Sequence, residues 1–221
     1  TKSLGQVTGR FELENSIPLG AGMGASATLC VAVGRWFLSK GWIKEEDLYE
    51  FSRQLENLFH GESICVYIAV ALSGRGLHFE RNGIRREVTP VWRPRWYLSY
   101  SGKRGVTSDC VARVKRLAEK NPGLAKELDS MMARAVEISE VALMRDELNG
   151  FDLLVEAMNL GRQCFDSWGL TQGEAGEHLK WLLAQGAVAV KPTGSGDGGF
   201  ALSLWRNDPP MGLRKTLISV Y

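Results

Sequence analysis

The chain has 221 residues, of which 44% are apolar and 24% charged, as in an ordinary globular protein. Its formal net charge of +2 argues against nucleic acid as the main partner, because proteins that bind phosphate backbones carry a concentrated basic excess. The four cysteines lie far apart and form no CxxC pair, so disulfide and metal spacing are absent. We find no secretory signal and no apolar run long enough to span a bilayer, and we expect a cytoplasmic protein without a membrane partner.

Alternation of apolar and polar residues predicts a strand over residues 7–14. Helices are predicted over 25–40, where small and apolar residues dominate, and over 44–59, where apolar residues recur on one face. Two short apolar runs at 77–79 and 84–88 flank an Asn-Gly pair and predict a hairpin.

The second half of the chain mixes strands and helices without strict alternation, which favours an α+β class over a doubly wound sheet. Strands are predicted over 96–101, 188–191 and 200–205. Helices are predicted over 108–120, 122–148, 151–168 and 173–185, and residues 211–220 are open between helix and other structure.

A glycine-rich segment over residues 17–27, IPLGAGMGASA, lies between the first predicted strand and helix. Glycines allow backbone N–H groups to approach phosphate oxygens closely. The helix that begins near Ala25 offers unpaired N–H groups at the positive end of its dipole. Ser26 falls in its first turn, where the hydroxyl can reach a phosphate or a bound Mg²⁺. The segment lacks P-loop and Rossmann spacing, and a tight turn without a ligand is the alternative.

The pattern Pro-x-Gly-x-Gly-Met-Gly-Ala-Ser-Ala resembles the second signature motif of the GHMP kinases, which include galactokinases, homoserine kinases and mevalonate kinases. In that family the loop wraps the phosphates of ATP, and the serine that matches Ser26 helps to bind Mg²⁺. The resemblance therefore implies ATP and Mg²⁺ as cofactors. The positions that it assigns to the nucleotide are Pro18, Gly20, Ala21, Gly22, Met23, Gly24, Ala25 and Ser26.

A second glycine cluster over residues 191–200, KPTGSGDGGF, resembles the third GHMP motif, Lys-x-Thr-Gly-(Ala/Ser)-Gly-x-Gly-Gly. In the family this loop closes over the phosphates, which assigns Gly194, Ser195 and Gly196 to the nucleotide. Asp197 departs from the commoner small or neutral residue. Its carboxylate is expected to repel phosphates unless it faces solvent or Mg²⁺.

Three further segments resemble mevalonate kinases within this family. Residues 157–161 match a Met-Asn-x-Gly pattern, and Thr107 aligns with a threonine that tends to face the substrate. Residues 55–61 resemble Glu-x-x-x-His-Gly, whose glutamate is a Mg²⁺ ligand, so Glu56 is expected to join Ser26 on the metal. The resemblance implies phosphoryl transfer from ATP to a small-molecule hydroxyl, with mevalonate as the favoured substrate.

The family pattern fails where the catalytic aspartate should stand. In the family this carboxylate accepts or orients the proton of the substrate hydroxyl, and here the position holds Tyr67. A phenol with a pKa near 10 is mostly protonated at neutral pH. The sequence therefore leaves the activity of this chain open.

The resemblance covers about residues 6–205 and implies the two-domain GHMP fold. Residues 1–94 are expected to form an N-terminal, ribosomal-protein-S5-like domain without its first strands, and residues 95–221 a ferredoxin-like C-terminal domain. The family's lysine-containing first motif precedes the part of the pattern seen here. The exposed sheet edge would then be completed by a homodimer partner or by a missing N-terminal segment.

Two other functions stay open at this point. One is a catalytically dead, GHMP-like protein that binds a nucleotide or metabolite, which Tyr67 favours. The other is a different GHMP kinase, acting on a sugar or on phosphomevalonate.

Overall fold

The computed structural model describes residues 9–10, 12–17, 22–60, 66–80 and 85–221. The chain divides into two compact units. The first unit holds the described residues before 18 together with 24–85, and the second holds residues 22–23 together with 86–221. The domain boundary that we expect after residue 94 stays a prediction.

Among its described residues the first unit is mainly helical. The α-helices are α1 (Ala25–Ser39), α2 (Leu48–His60) and α3 (Val66–Ser73), and a 3-10 turn (Glu45–Asp47) precedes α2. Apolar residues of α1 and α3 form a common core from Ala27, Cys30, Val31 and Ile68. Burial of this apolar surface is the main force that holds the helices together.

Close packing of α1 against α2 depends on Gly34. A Cβ at this position would lie 2.7 Å from Ser52 Oγ and 2.8 Å from Leu48 Cδ1. The buried Ser52 hydroxyl donates to the backbone oxygen of Leu48 (2.8 Å), so its hydrogen bond is satisfied within α2. Gly34 interrupts a run of better helix formers because the neighbouring helix leaves no room for a side chain.

Two short strands, β1 (Leu77–Phe79) and β2 (Arg85–Glu87), pair in a two-stranded sheet. They confirm the strands of the predicted hairpin. The Asn-Gly pair on which that prediction rests lies outside the described residues.

A four-stranded sheet with the order β4-β5-β3-β6 organises the second unit. Its strands are β3 (Arg95–Tyr100), β4 (Ala189–Pro192), β5 (Phe200–Trp205) and β6 (Ile218–Ser219). All three pairings are antiparallel, and Leu98 stands opposite Leu202 in the β3–β5 register. The sheet therefore presents alternate side chains to its two faces.

Helices cover both faces of this sheet. The second unit contains α4 (Thr107–Lys120), α5 (Pro122–Met144), α6 (Glu147–Ser167), α7 (Gly173–Ala184) and the short α8 (Met211–Arg214). Leu179 and Leu182 of α7 pack with Tyr97 on one face. Leu154 of α6 packs with Leu204 on the other. The α+β class that the sequence predicts is confirmed.

The two helices predicted over 122–148 and 151–168 are both present, but the break between them is misplaced. The structure ends α5 at Met144 and begins α6 at Glu147. Asp146 is the N-cap of α6, where its carboxylate accepts a hydrogen bond from the backbone N–H of Asn149 (2.9 Å). A capping aspartate adopts an extended backbone that breaks the preceding helix.

Three other local predictions differ from the structure. Gly9, Arg10 and residues 12–14 are not part of a strand, and a strand is stable only when a neighbour pairs with its backbone groups. The helix α3 was not predicted, because its residues are apolar on nearly every face and show no helical period. The open segment 211–220 forms the one-turn α8 and the two-residue β6.

Candidate functional site

The second glycine loop, residues 193–199, connects β4 to β5 and is closed at its base by Thr193. The backbone N–H and the hydroxyl of Thr193 both donate to the oxygen of Phe200, at 3.1 and 2.9 Å. These bonds hold the ends of the loop together where the two strands part. The threonine of the motif therefore has a structural role in closing the loop.

The loop lies so close to its neighbours that Gly198 cannot be replaced without movement. A Cβ on Gly198 would lie 2.7 Å from both the nitrogen of Gly105 and the oxygen of Lys103. The backbone N–H of Gly199 donates to that same Lys103 oxygen (2.7 Å). The loop is therefore packed against the turn that joins β3 to α4.

The two glycine-rich segments of the sequence meet within the second unit. A Cβ on Gly194 would lie 2.9 Å from the Cα of Gly22, and a Cβ on Gly22 would lie 3.1 Å from Thr193 Oγ1. A side chain on Gly194 would overlap the backbone of Gly22, and a side chain on Gly22 would require its neighbours to shift. Segments more than 170 positions apart in sequence thus bring their backbones together at one place.

Asp197 is the charged residue of the second loop, and two cations face it. Its carboxylate lies 3.2 Å from Lys103 Nζ and 3.4 Å from Arg113 Nη2. The two positive side chains therefore offset the repulsion expected between this carboxylate and phosphates. The sequence analysis had expected solvent or Mg²⁺ in their place. Asp197 also has a positive φ of 56°, an uncommon conformation that aspartate tolerates better than most residues.

Thr107 is the first residue of α4 and lies beside the same loop. The hydroxyl of Ser195 donates to Thr107 Oγ1 (3.3 Å). One turn further along α4, the Cys110 thiol contacts the oxygen of Gly196 (3.6 Å). The structure thus brings Thr107, Ser195 and Gly196, which were assigned from separate motifs, into one neighbourhood.

Lys191 is a site residue that the sequence analysis did not single out. Its ammonium donates to the oxygen of Pro192 (2.7 Å) and lies 5.9 Å from the ring centre of Phe165. Burial lowers the pKa of Lys191 to about 8. The motif lysine was visible in the sequence, but no pattern showed that its charge would be desolvated.

The start of α1 lies in the first unit. Its N-cap, Gly24, has a left-handed backbone (φ 71°) and no side chain to cap the helix. No acidic residue occupies the first turn of α1. The N-terminus of a helix in this state favours anions. Ala25 and Ser26 form the first two helical positions.

Glu56 is a buried carboxylate on α2 that faces α1. Glu56 is 3% exposed. Burial of the Cys30 thiol and, second, the negative charge of Glu56 raise the pKa of Cys30 to about 11. Ser26 lies four residues before Cys30 and so occupies the same face of α1. Ser26 and Glu56, the two expected metal ligands, therefore lie on two helices that pack against each other, and their joint role in metal binding stays a prediction.

Tyr67 stands near the start of α1. Its ring carbon Cδ1 would be 3.8 Å from a Cβ on Gly24. Partial burial and the charge of Glu56 raise the pKa of Tyr67 above its ordinary value. The phenol is thus even less able to accept a proton at neutral pH than a free tyrosine.

Three positions assigned to the nucleotide, Pro18, Gly20 and Ala21, lie outside the described residues, as do residues 61–65. Within the described part of the chain no group of three or more His, Cys, Asp and Glu side chains could hold a metal ion. Mg²⁺ needs fewer protein ligands, because it keeps several waters and binds substrate phosphates. The hydroxyl of Ser26 and the carboxylate of Glu56 are oxygen donors of the kind that Mg²⁺ prefers. No helix among the described residues is long and apolar enough to cross a membrane.

Comparison with protein families gives a match over residues 2–75 to the model described as GHMP kinases N terminal domain. The match includes the first glycine-rich segment, Glu56 and Tyr67. The resemblance to GHMP kinases is therefore confirmed for the first third of the chain.

Curated relatives extend the likeness to nearly the whole chain. The mevalonate kinase of Thermococcus gammatolerans is 28% identical over 196 residues, which are 87% of this chain and 58% of that protein. The mevalonate kinase of Archaeoglobus fulgidus is 25% identical over 205 residues, which are 91% of this chain and 67% of that protein. The chain thus spans only about three fifths of the length of relatives such as the Thermococcus protein.

Solved structures show the same fold. The mevalonate kinase of L. major in complex with R-mevalonate is 20% identical, with a TM-score of 0.70 over 84% of this chain and 57% of that chain. The mevalonate kinase of Methanococcus jannaschii is 17% identical, with a TM-score of 0.65 over 91% of this chain and 62% of that chain. The described residues therefore have the GHMP kinase fold.

Proposed function

We propose that this chain, which has the GHMP kinase fold, is a phosphotransferase that uses ATP and Mg²⁺ to phosphorylate the hydroxyl of mevalonate. The contact of Gly22 with Gly194 carries the proposal. It joins two glycine-rich segments whose backbone N–H groups suit phosphate oxygens. A tight turn without a ligand would not require the two segments to meet.

The chain's own residues have distinct parts in this proposal. Gly22, Met23, Gly194, Ser195 and Gly196 belong to the loops that hold the phosphates. Ser26 and Glu56 are the proposed Mg²⁺ ligands, and Thr107 lies near the acceptor. Bound Mg²⁺ neutralises charge on the transferred phosphoryl group.

Mevalonate is proposed as the acceptor on the strength of the relatives. The curated proteins that match most of the chain are named mevalonate kinases, and the L. major structure contains R-mevalonate. A cytoplasmic location and the association of this chain with a second copy or with another segment are further parts of the proposal.

A second candidate function is nucleotide binding without phosphoryl transfer. Tyr67 favours it, since its phenol stays protonated and cannot take the proton of an attacking hydroxyl. The loops and the proposed metal ligands would be used in the same way. Both candidate functions therefore predict that the chain binds a nucleotide. Only the first predicts that ATP is turned over.

One experiment separates these candidates. ADP release is followed by a coupled assay with Mg²⁺ and ATP, and with mevalonate, phosphomevalonate or no acceptor. The proposed function predicts slow ADP release that depends on mevalonate. Calorimetric binding of ATP without release for any acceptor would support the second candidate. Release with phosphomevalonate alone would overturn the assignment of the substrate, and absence of ATP binding would overturn both candidates.

A further inference from the structure

We propose that Asp197 is an anchor for the second glycine loop, and that its carboxylate strengthens the binding of phosphates by fixing the shape of the loop. The ligand in this inference rests on the proposed function. The anchor itself rests on contacts within the second unit. It reverses the expectation that a carboxylate in a phosphate loop weakens phosphate binding.

The contacts of Asp197 all lead to segments that lie against the loop. Its carboxylate pairs with Lys103 in the β3–α4 turn and with Arg113 on α4. Its backbone N–H donates to the oxygen of Leu170 in the α6–α7 connection (2.6 Å). Three separate parts of the second unit are thereby tied to one residue.

Arg113 links these parts a second time. Besides its contact with Asp197, its guanidinium donates to the backbone oxygen of Gly169. Lys103 also makes a second link to the loop, because its backbone oxygen accepts a hydrogen bond from the N–H of Gly199 (2.7 Å). The loop is therefore held on the side formed by α4 and the two connections, while Gly194 contacts Gly22.

The charges of this cluster do not make the loop negative. Two cations surround one carboxylate, which leaves a formal charge of +1 on the three side chains. The Asp197 side chain is 20% exposed, and partly buried ion pairs are screened less by salt than exposed ones. The carboxylate can thus order the loop without opposing an incoming phosphate.

The sign of one measured change distinguishes anchoring from simple repulsion. Asp197→Asn removes the negative charge and keeps a side chain that tolerates a positive φ. Repulsion alone predicts that the variant binds ATP more tightly. Anchoring predicts weaker binding, because a loosened loop must be ordered when the ligand binds.

The test measures the dissociation constant of Mg²⁺-ATP and hydrogen exchange of residues 193–200 in the unliganded chain. For Asp197→Asn we expect about tenfold weaker binding, equivalent to about 1.4 kcal/mol, and faster exchange of the Asp197 and Gly199 amides. Asp152→Asn is the matched control, since it breaks an exposed ion pair with Arg206 at the other end of β5. The control should change neither quantity.

Equal or tighter ATP binding by Asp197→Asn with unchanged amide exchange would overturn the anchor. Lys103→Gln breaks the same cluster from the other side, and its amide exchange in the unliganded chain decides the anchor if Asp197→Asn does not fold. Arg113→Lys keeps the charge and should restore part of the protection that Arg113→Gln loses. If the unaltered chain binds no ATP, the proposed function fails, while exchange in the unliganded variants still decides the anchor.

Discussion

At two positions the chain carries a side chain that is unusual in the GHMP kinase motifs. The charged groups around these two side chains differ. Asp197 in the second loop is paired with two cations, and its backbone N–H donates to the oxygen of Leu170. Tyr67 near the start of α1 lies beside the charge of Glu56, which raises its pKa. Asp197 is thus held by neighbouring side chains of opposite charge. Tyr67 leaves the candidate site without a base at its position.

This difference shows why a sequence motif and a functional group have to be judged separately. The unusual carboxylate of Asp197 is compatible with the glycine loop because Lys103 and Arg113 supply the opposite charge. At Tyr67, by contrast, partial burial and the neighbouring charge of Glu56 raise the pKa of the phenol and so do not turn it into a base. The proposed phosphate binding and the proposed phosphoryl transfer are therefore tested separately, each by its own substitution.

The largest expected effect comes from restoring the carboxylate. Tyr67→Asp should raise mevalonate-dependent ADP release by about 10²–10⁴, the range for a positioned base. Because the charge of Glu56 opposes ionisation nearby, the rate should increase with pH across the acidic range. Tyr67→Asn, of similar size to the aspartate variant but without a base, serves as the control. Equal rates for the two variants would show that the missing carboxylate does not limit the reaction.

A smaller effect is expected from separating the two glycine segments. Gly194→Ala places a Cβ 2.9 Å from the Cα of Gly22. Overpacking of this kind costs about 1–3 kcal/mol, so the affinity for Mg²⁺-ATP should fall about tenfold to hundredfold. Gly212→Ala is the control, since nothing lies within 4 Å of a Cβ there. Unchanged ATP affinity in Gly194→Ala, measured by calorimetry, would remove the main support for a shared phosphate site.

The proposed metal ligand gives a third test. Glu56→Gln should raise the Mg²⁺ concentration needed for half-maximal ATP binding by about tenfold, as expected for a change at a metal site. The same variant should lower the pKa of the Cys30 thiol, since the charge of Glu56 contributes to raising it. Glu50→Gln, which alters an exposed pair with Arg53 on the same helix, should change neither value. A lower thiol pKa without a change in Mg²⁺ dependence would confirm proximity and reject the metal role.

The smallest expected effect concerns stability and Lys191. Its pKa is lowered to about 8 in the folded chain, so between pH 8 and about 10.5 the unfolded chain binds more protons. The contribution of Lys191 to stability should therefore rise over this range and be lost as the pH falls through 8. As the pH rises from 8 to about 10.5, we expect the unfolding free energy of the unaltered chain to increase by about 1–2 kcal/mol relative to that of Lys191→Met.

Urea unfolding at both ends of that range measures this change. Lys180→Met, at an exposed lysine on α7, is the control and should show no such gain. A constant difference between the unaltered chain and Lys191→Met across the range would contradict the desolvation of the lysine.

The sequence predicted the parts of this molecule that depend on local pattern. Strands β1, β3, β4 and β5 and most helices agree with their predicted positions, because apolar period and glycine or proline breaks determine them. The helix α3 was missed, since a segment that is apolar throughout gives no period. The division between α5 and α6 was predicted but misplaced, because the sequence analysis did not recognise Asp146 as the N-cap of α6.

For the candidate site, the two loops could be found from their glycines, while their mutual contact could not. Sequence spacing does not show that Gly22 and Gly194 meet, nor that Lys103 and Arg113 converge on Asp197. These relations depend on the sheet and on the turn between β3 and α4. The desolvation of Lys191 likewise follows from its packing near Phe165, which no motif encodes.

We propose that both glycine-rich segments hold the phosphates of one nucleotide. Hydrogen exchange of the unaltered chain with and without Mg²⁺-ATP tests it most directly. We expect slower exchange on ATP addition in two segments, residues 22–28 and 193–200, and little change in α8. Protection of neither segment, or of one segment alone, would contradict it.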